Sequence, residues 1–167
     1  MKQSRLESEL RDAICSLRPN FMATMNYSRP LSGGRDTRHQ TVVRHLREWN
    51  REVLEALFGR KFFRRNVGDE FLFVAAIEIG PLLSKEHAHL LVRVPDHLAE
   101  RFEVEGVQRW RPKEMAPAMG QHRRLLESDV LIRRIYDLDG AVGYCLKNVG
   151  NHTDRIVFSN EFRVTAH

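Results

Sequence analysis

The chain has 167 residues, 27 Lys and Arg against 22 Asp and Glu, and an isoelectric point near 9.6. That length suits a single domain with a sizeable core, and a composition 42% hydrophobic and 29% charged excludes a disordered chain. No apolar run approaches the ~20 residues needed to cross a bilayer, and the start, MKQSRLESELRDAICS, lacks the apolar core of a signal peptide.

Cys15 and Cys145 are too few for a disulfide framework and show no zinc-type pairing, so a reducing, cytoplasmic setting is expected. Of the 27 cations, 22 are Arg and 5 are Lys. Arg grips phosphate with a planar fork, which favours a nucleic-acid partner. GC-rich coding sequence explains the same bias without any partner, so the net charge of +5 permits nucleic-acid binding without requiring it.

Leu6, Leu10, Ile14 and Leu17 recur at helical spacing and predict a first helix over 3–18, stopped by Pro19. FMATMNYS (21–28) reads as a strand, broken by Arg29-Pro30 and Ser32-Gly33-Gly34. A long helix to about residue 58 should follow, capped by Asp36 or Thr37, with Val42, Val43, Leu46, Trp49, Val53, Leu54 and Leu57 on its apolar face. Gly59 ends it, and the basic stretch RKFFRR follows.

EFLFVAAIEIG (70–80) is nearly continuously apolar, as a central strand is, and Gly80-Pro81 closes it. HAHLLVRVP (87–95) predicts the antiparallel partner, with His87, His89, Leu91 and Arg93 on one face and Ala88, Leu90, Val92 and Val94 on the other. A short helix DHLAERFEV comes next, then an unpatterned stretch around Trp110, then a predicted helix over 121–138. AVGYCLKNVG reads as a further short helix and DRIVFSNEFRV as a last strand. The expected class is α+β, an antiparallel sheet covered mainly on one side.

Three sets of residues can carry chemistry. Two histidines one residue apart on a strand project from the same face and can reach one ion, although two hydrogen-bonded strand histidines would look the same. Glu78 strengthens the metal reading, because a carboxylate at the end of an apolar strand needs a partner, which Lys85 or solvent could also supply. In the expected hairpin, Glu78 falls close to His87 and His89, a three-ligand set with open positions. Tyr144 and Lys147 are i and i+3 on a helix, so a phenol and an ammonium share a face. A phenol with a pKa of about 10 needs a cation or a metal to become a nucleophile.

Read together, these residues resemble the HUH-type replication initiators, the single-tyrosine nicking endonucleases of rolling-circle plasmids and single-stranded DNA viruses. Ala23-Thr24-Met25-Asn26 is similar to their first motif. Glu78 with His87-Ala88-His89 is similar to the metal motif, and Gly143-Tyr144-Cys145-Leu146-Lys147-Asn148 to the Tyr-x-x-Lys motif. The resemblance spans residues 21–150 and implies a five-stranded antiparallel sheet flanked by helices, with the histidines on a central strand. It treats 1–167 as one nicking domain with a helical extension over 1–18.

The implied activity is site-specific nicking and joining of single-stranded DNA. Tyr144 would attack the phosphate to leave a 5′-phosphotyrosine, Lys147 would assist, and Glu78, His87 and His89 would hold Mn²⁺ or Mg²⁺. Without a Gly-x-x-x-x-Gly-Lys loop, a helicase and a polymerase are expected as separate partners, acting at a single-stranded origin or hairpin. Where many relatives carry an acidic residue after the motif lysine, this chain has Asn148, with Glu86, Asp139 and Asp154 as substitute carboxylates.

Tyr27 and Tyr136 lack a lysine three residues on, and Tyr136 is expected to pack in a helix. The expected DNA surface comprises Arg35 and Arg38, the 60–65 stretch with Arg64 and Arg65, and Arg109, Trp110 and Arg111, with Trp110 able to stack on a base. Arg123, Arg124, Arg133 and Arg134 read as a solvated helix face. The alternatives are a single-tyrosine transposase, a mobilisation relaxase, or a non-catalytic nucleic-acid-binding domain with structural histidines.

Overall fold

Residues 2–27, 30–64, 67–81, 85–111, 130–147 and 155–162 are described by a computed structural model. In chain order they form α1 (Lys2–Ser16), β1 (Phe21–Asn26), α2 (Arg35–Phe58), β2 (Leu72–Glu78) and β3 (His87–Arg93). Then come α3 (Ala99–Gln108), β4 (Val130–Arg134), α4 (Leu138–Lys147) and β5 (Ile156–Phe158). The five strands make one antiparallel sheet in the order β4-β1-β3-β2-β5, so the strand bearing both histidines lies at its centre. None of the described helices is long and apolar enough to cross a membrane.

Strand alternation divides the molecule into two cores. Phe21, Ala23 and Met25 of β1, Phe73, Ala75 and Ile77 of β2, and Ala88, Leu90 and Val92 of β3 face α2 and α3. There Trp49, Phe71, Phe73, Phe102 and Phe21 meet mostly edge to face, and the Trp49 indole N–H donates to the Gly106 carbonyl at 2.8 Å. On the other face Val74, Ala76 and Leu91 pack against Ile14 of α1 and Val142, Cys145 and Leu146 of α4.

The sheet is therefore covered on both sides, which corrects the expected one-sided cover. The reason is written in β2, whose residues 72–77 are apolar at both parities, as a strand buried on two faces requires. The predicted helix over 121–138 is also corrected. Val130–Arg134 is an edge strand paired with β1, and α4 starts only at Leu138; the rest of that prediction lies outside the described residues. Val130 and Ile132 gain more from the open edge of β1 and the core behind it than from a helical turn. The α2 helix begins at Arg35, so Asp36 sits inside the first turn, where it meets the positive end of the helix dipole, and not at the cap.

Candidate functional site

The site stands on the α1/α4 face of the sheet, at the end where β2 leaves and β3 enters. Glu78 lies directly across from His87 in the β2–β3 register, and Ala76 across from His89. Side-chain alternation then puts Glu78, His87 and His89 on one face. His89 Nε2 is 3.2 Å from Glu78 Oε1. Oε1 is buried, and among the described residues no well-aligned donor reaches it.

Burial, the dominant influence, pulls the His89 pKa below the ordinary 6.5, with Glu78 opposing and His87 reinforcing the shift.

The α4 helix packs across the same face. Asp137 caps it, Oδ1 accepting the Gly140 N–H at 3.0 Å. A Cβ at Gly140 would press on that carboxylate, which would have to shift to admit it. Val142, Cys145 and Leu146 are buried against the sheet, which leaves Tyr144 on the flank of the helix, 48% exposed. Its ring stands edge-on to His89, with centroids 5.1 Å apart and planes at 80°. Lys147 is exposed on the last turn of α4, three residues on. The Cys145 thiol is pushed up to about 12 by burial and then by Glu78, so it stays protonated.

Two residues of the first motif, Thr24 and Asn26, to which the sequence assigned no chemical role, also belong to this site. In the β1–β3 register Thr24 faces His89 and Asn26 faces His87. Thr24 Oγ1 lies 3.2 Å from His89 Nδ1, and Asn26 Oδ1 lies 2.7 Å from His87 Nδ1. Their i, i+2 spacing on a strand was visible; the identity of the strand beside them was not.

These donors suit a divalent ion. Two cis ligands about 2.1–2.2 Å from a six-coordinate ion stand roughly 3 Å apart, close to the Glu78–His89 separation. His87 shares the face, one strand repeat away. Among the described residues no three His, Cys, Asp or Glu side chains are drawn into one metal-holding group; of the predicted triad, Glu78 and His89 are in contact.

Several sequence-predicted residues are reassigned. Arg38 is 4% exposed and not a DNA contact: its guanidinium reaches Glu86 at 2.8 Å and the Gly80 carbonyl at 3.0 Å. Glu86 is 0% exposed and accepts from both Arg38 and the Leu31 N–H, which removes it as a substitute metal carboxylate. Trp110 is 3% exposed, packed edge-on against Tyr27 and His45, and cannot stack on a base. The Tyr27 hydroxyl is buried at 2.8 Å from His45 Nδ1, which excludes it as the nucleophile. Tyr136 is 94% exposed just past β4 and does not pack in a helix.

Among the other cations, Arg35 is exposed on the first turn of α2. Arg64, beside the exposed Phe63, follows the far end of that 24-residue helix, which is about 36 Å long at 1.5 Å per residue. Arg109 pairs with Glu105 at 2.9 Å, and Arg111 is exposed and donates to the Gln108 carbonyl. Arg133 and Arg134 belong to β4: Arg133 is exposed on the site face opposite Met22, and Arg134 pairs with Glu103 at 2.9 Å. Asp139 is exposed on the first turn of α4. Arg65, Lys113, Arg123, Arg124, Asn148 and Asp154 lie outside the described residues.

No family model, curated protein or solved structure matches this chain.

Proposed function

We propose that this protein nicks and rejoins single-stranded DNA by metal-assisted transesterification, with Tyr144 as the nucleophile. The observation that carries the reading is Tyr144 standing edge-on to His89, beside a Glu78 oxygen with no well-aligned donor among the described residues. A half-exposed phenol beside a carboxylate–imidazole pair is an arrangement suited to phosphoryl transfer and costly in a purely structural role, because Oε1 is buried with no well-aligned donor among the described residues.

Glu78 and His89, with His87 from the same face, would hold Mn²⁺ or Mg²⁺, the two imidazoles tilting the preference toward Mn²⁺. When bound, such an ion polarises the scissile phosphate and offsets its developing charge. The remaining chemistry falls to the chain. Tyr144 Oη loses its proton and forms the new O–P bond, while the P–O3′ bond breaks and the 3′ oxygen leaves with a proton. The product is a 5′-phosphotyrosine and a free 3′-hydroxyl. Lys147, one turn on, supplies positive charge to the phenolate or the phosphate.

The phosphodiester energy is retained in the tyrosyl link, so rejoining is the reverse step and the 3′ end is free to prime synthesis. Initiation of rolling-circle replication, with unwinding and polymerisation by separate proteins, is the role that this chemistry fits. Arg133 and the half-exposed Leu131 on the outer strand offer the DNA a basic and apolar edge on the site face.

The test is incubation with single-stranded oligonucleotides and Mn²⁺, followed by denaturing electrophoresis. A covalent protein–DNA adduct that is lost in Tyr144→Phe is the expected result. An adduct that survives Tyr144→Phe overturns the nucleophile assignment. Absence of both adduct and Mn²⁺ binding across hairpin and origin-like sequences leaves a binding module in its place.

A further inference from the structure

The two histidines are held differently, and the difference bears on which nitrogen of each ring is available. An amide oxygen can only accept, so Asn26 Oδ1 at 2.7 Å from His87 Nδ1 requires a proton on that nitrogen. Nε2, on the far side of the ring, is then the nitrogen with the lone pair. Thr24 imposes no such choice on His89, because a hydroxyl can donate or accept.

The backbone around Asn26 and His87 is fixed on several sides. The two residues are cross-strand partners at the ends of β1 and β3. One residue further on, the Tyr27 N–H donates to the Glu86 carbonyl. Glu86 is itself clamped by Arg38 at 2.8 Å and by the Leu31 N–H at 3.0 Å. The short Asn26–His87 contact is therefore built on anchored ends and is not a chance approach of two mobile side chains.

We infer that Asn26 is a positioning residue that locks His87 in its Nδ1–H tautomer and presents Nε2 as a ligand on the site face. The role as a ligand rests on the metal-dependent reading given above; the tautomer lock does not. A ligating histidine whose second nitrogen donates to a fixed acceptor is both oriented and made more basic, and loss of such a partner costs about 10–100-fold in metal affinity. The β1 strand thus serves the site without contributing a ligand.

The experiment measures the imidazole tautomers by long-range ¹H–¹⁵N correlation on the metal-free protein, at a pH where the rings are neutral, together with Mn²⁺ affinity. Wild type should show His87 protonated at Nδ1 and bare at Nε2. Asn26→Ala should give a mixture of His87 tautomers and about 10–100-fold weaker Mn²⁺ binding. Asn26→Asp keeps an acceptor oxygen and should restore both the tautomer and the affinity to within a few-fold of wild type.

A His87 that is protonated at Nε2 in wild type means that the amide donates instead, and it overturns the inference. An Asn26→Ala protein that keeps the Nδ1–H tautomer overturns it too. If the tautomer responds as stated but wild type binds no Mn²⁺, the metal reading fails and the positioning of His87 by Asn26 stands.

Discussion

The ring of Tyr144 meets the ring of His89 edge to face at 5.1 Å, and this contact joins two elements far apart in sequence. His89 comes from the central strand of the sheet, Tyr144 from the helix laid across it. The buried flank of α4 fixes the helix, and the exposed flank carries the phenol to the edge of the carboxylate–imidazole pair. Several consequences of this packing can be measured.

The depressed pKa of His89 links stability to pH. The unfolded chain takes up a proton at the ordinary value of 6.5, whereas the folded chain does so only at lower pH. Between those two values the unfolded state binds more protons, so stability falls as pH drops below 6.5 and levels off once folded His89 is also protonated. The difference between the urea midpoints of wild type and His89→Gln should be constant above 6.5 and shift against wild type as pH falls below it, levelling off once folded His89 is protonated. Parallel curves across that window would remove His89 as the source.

Arg38 and Glu86 form a buried ion pair at 2.8 Å that ties α2 to the entry of β3. Removing one partner leaves an unpaired buried charge, so Arg38→Met should cost about 3–5 kcal/mol in chemical denaturation. The double variant Arg38→Met/Glu86→Leu should recover much of that loss, since neither charge remains. Equal destabilisation of the single and double variants would mean that the backbone carbonyls of Gly80 and Pro81, not the charge on Glu86, are the important partners of Arg38.

Asp137 begins the helix that carries Tyr144. Asp137→Ala should lower stability by about 0.5–2 kcal/mol, and Asp137→Ser should restore most of it, because a hydroxyl caps nearly as well. Adduct formation should fall further in the alanine variant than its stability alone accounts for, as α4 frays one and a half turns before Tyr144. Adduct rates that follow the folded fraction alone would separate the cap from the chemistry.

Gly106 of α3 stands against Ile132 of β4. A Cβ there would lie 2.5 Å from Ile132 Cδ1. Gly106→Ala should therefore destabilise the protein by about 1–3 kcal/mol, despite the better helix propensity of alanine. Shortening the neighbour in Gly106→Ala/Ile132→Val should return part of the loss by calorimetry. A stabilised single variant would show that α3 can move away from the sheet at little cost.

What the sequence determined by itself was local. The parity of His87 and His89, the apolar run of β2 that ends in Glu78, the amphipathic long helix and the helical spacing of Tyr144 and Lys147 all follow from periods of 2 and 3.6 residues. The pairing of β2 with β3 was legible because the two strands are close in sequence. Only the tertiary structure decided what depends on distant partners. It placed β1 beside β3, giving Thr24 and Asn26 their histidines, and it drew 130–134 into the sheet against a helical local pattern.

It also buried Arg38, Glu86 and Trp110, three polar or amphipathic residues whose types suggest the surface. A charge goes inside only when its counter-charge is already there, and for Arg38 that partner is 48 residues away. Local periodicity reports the face of an element that is apolar. Which element covers that face, and which side chains complete each other's hydrogen bonds, is settled only by packing.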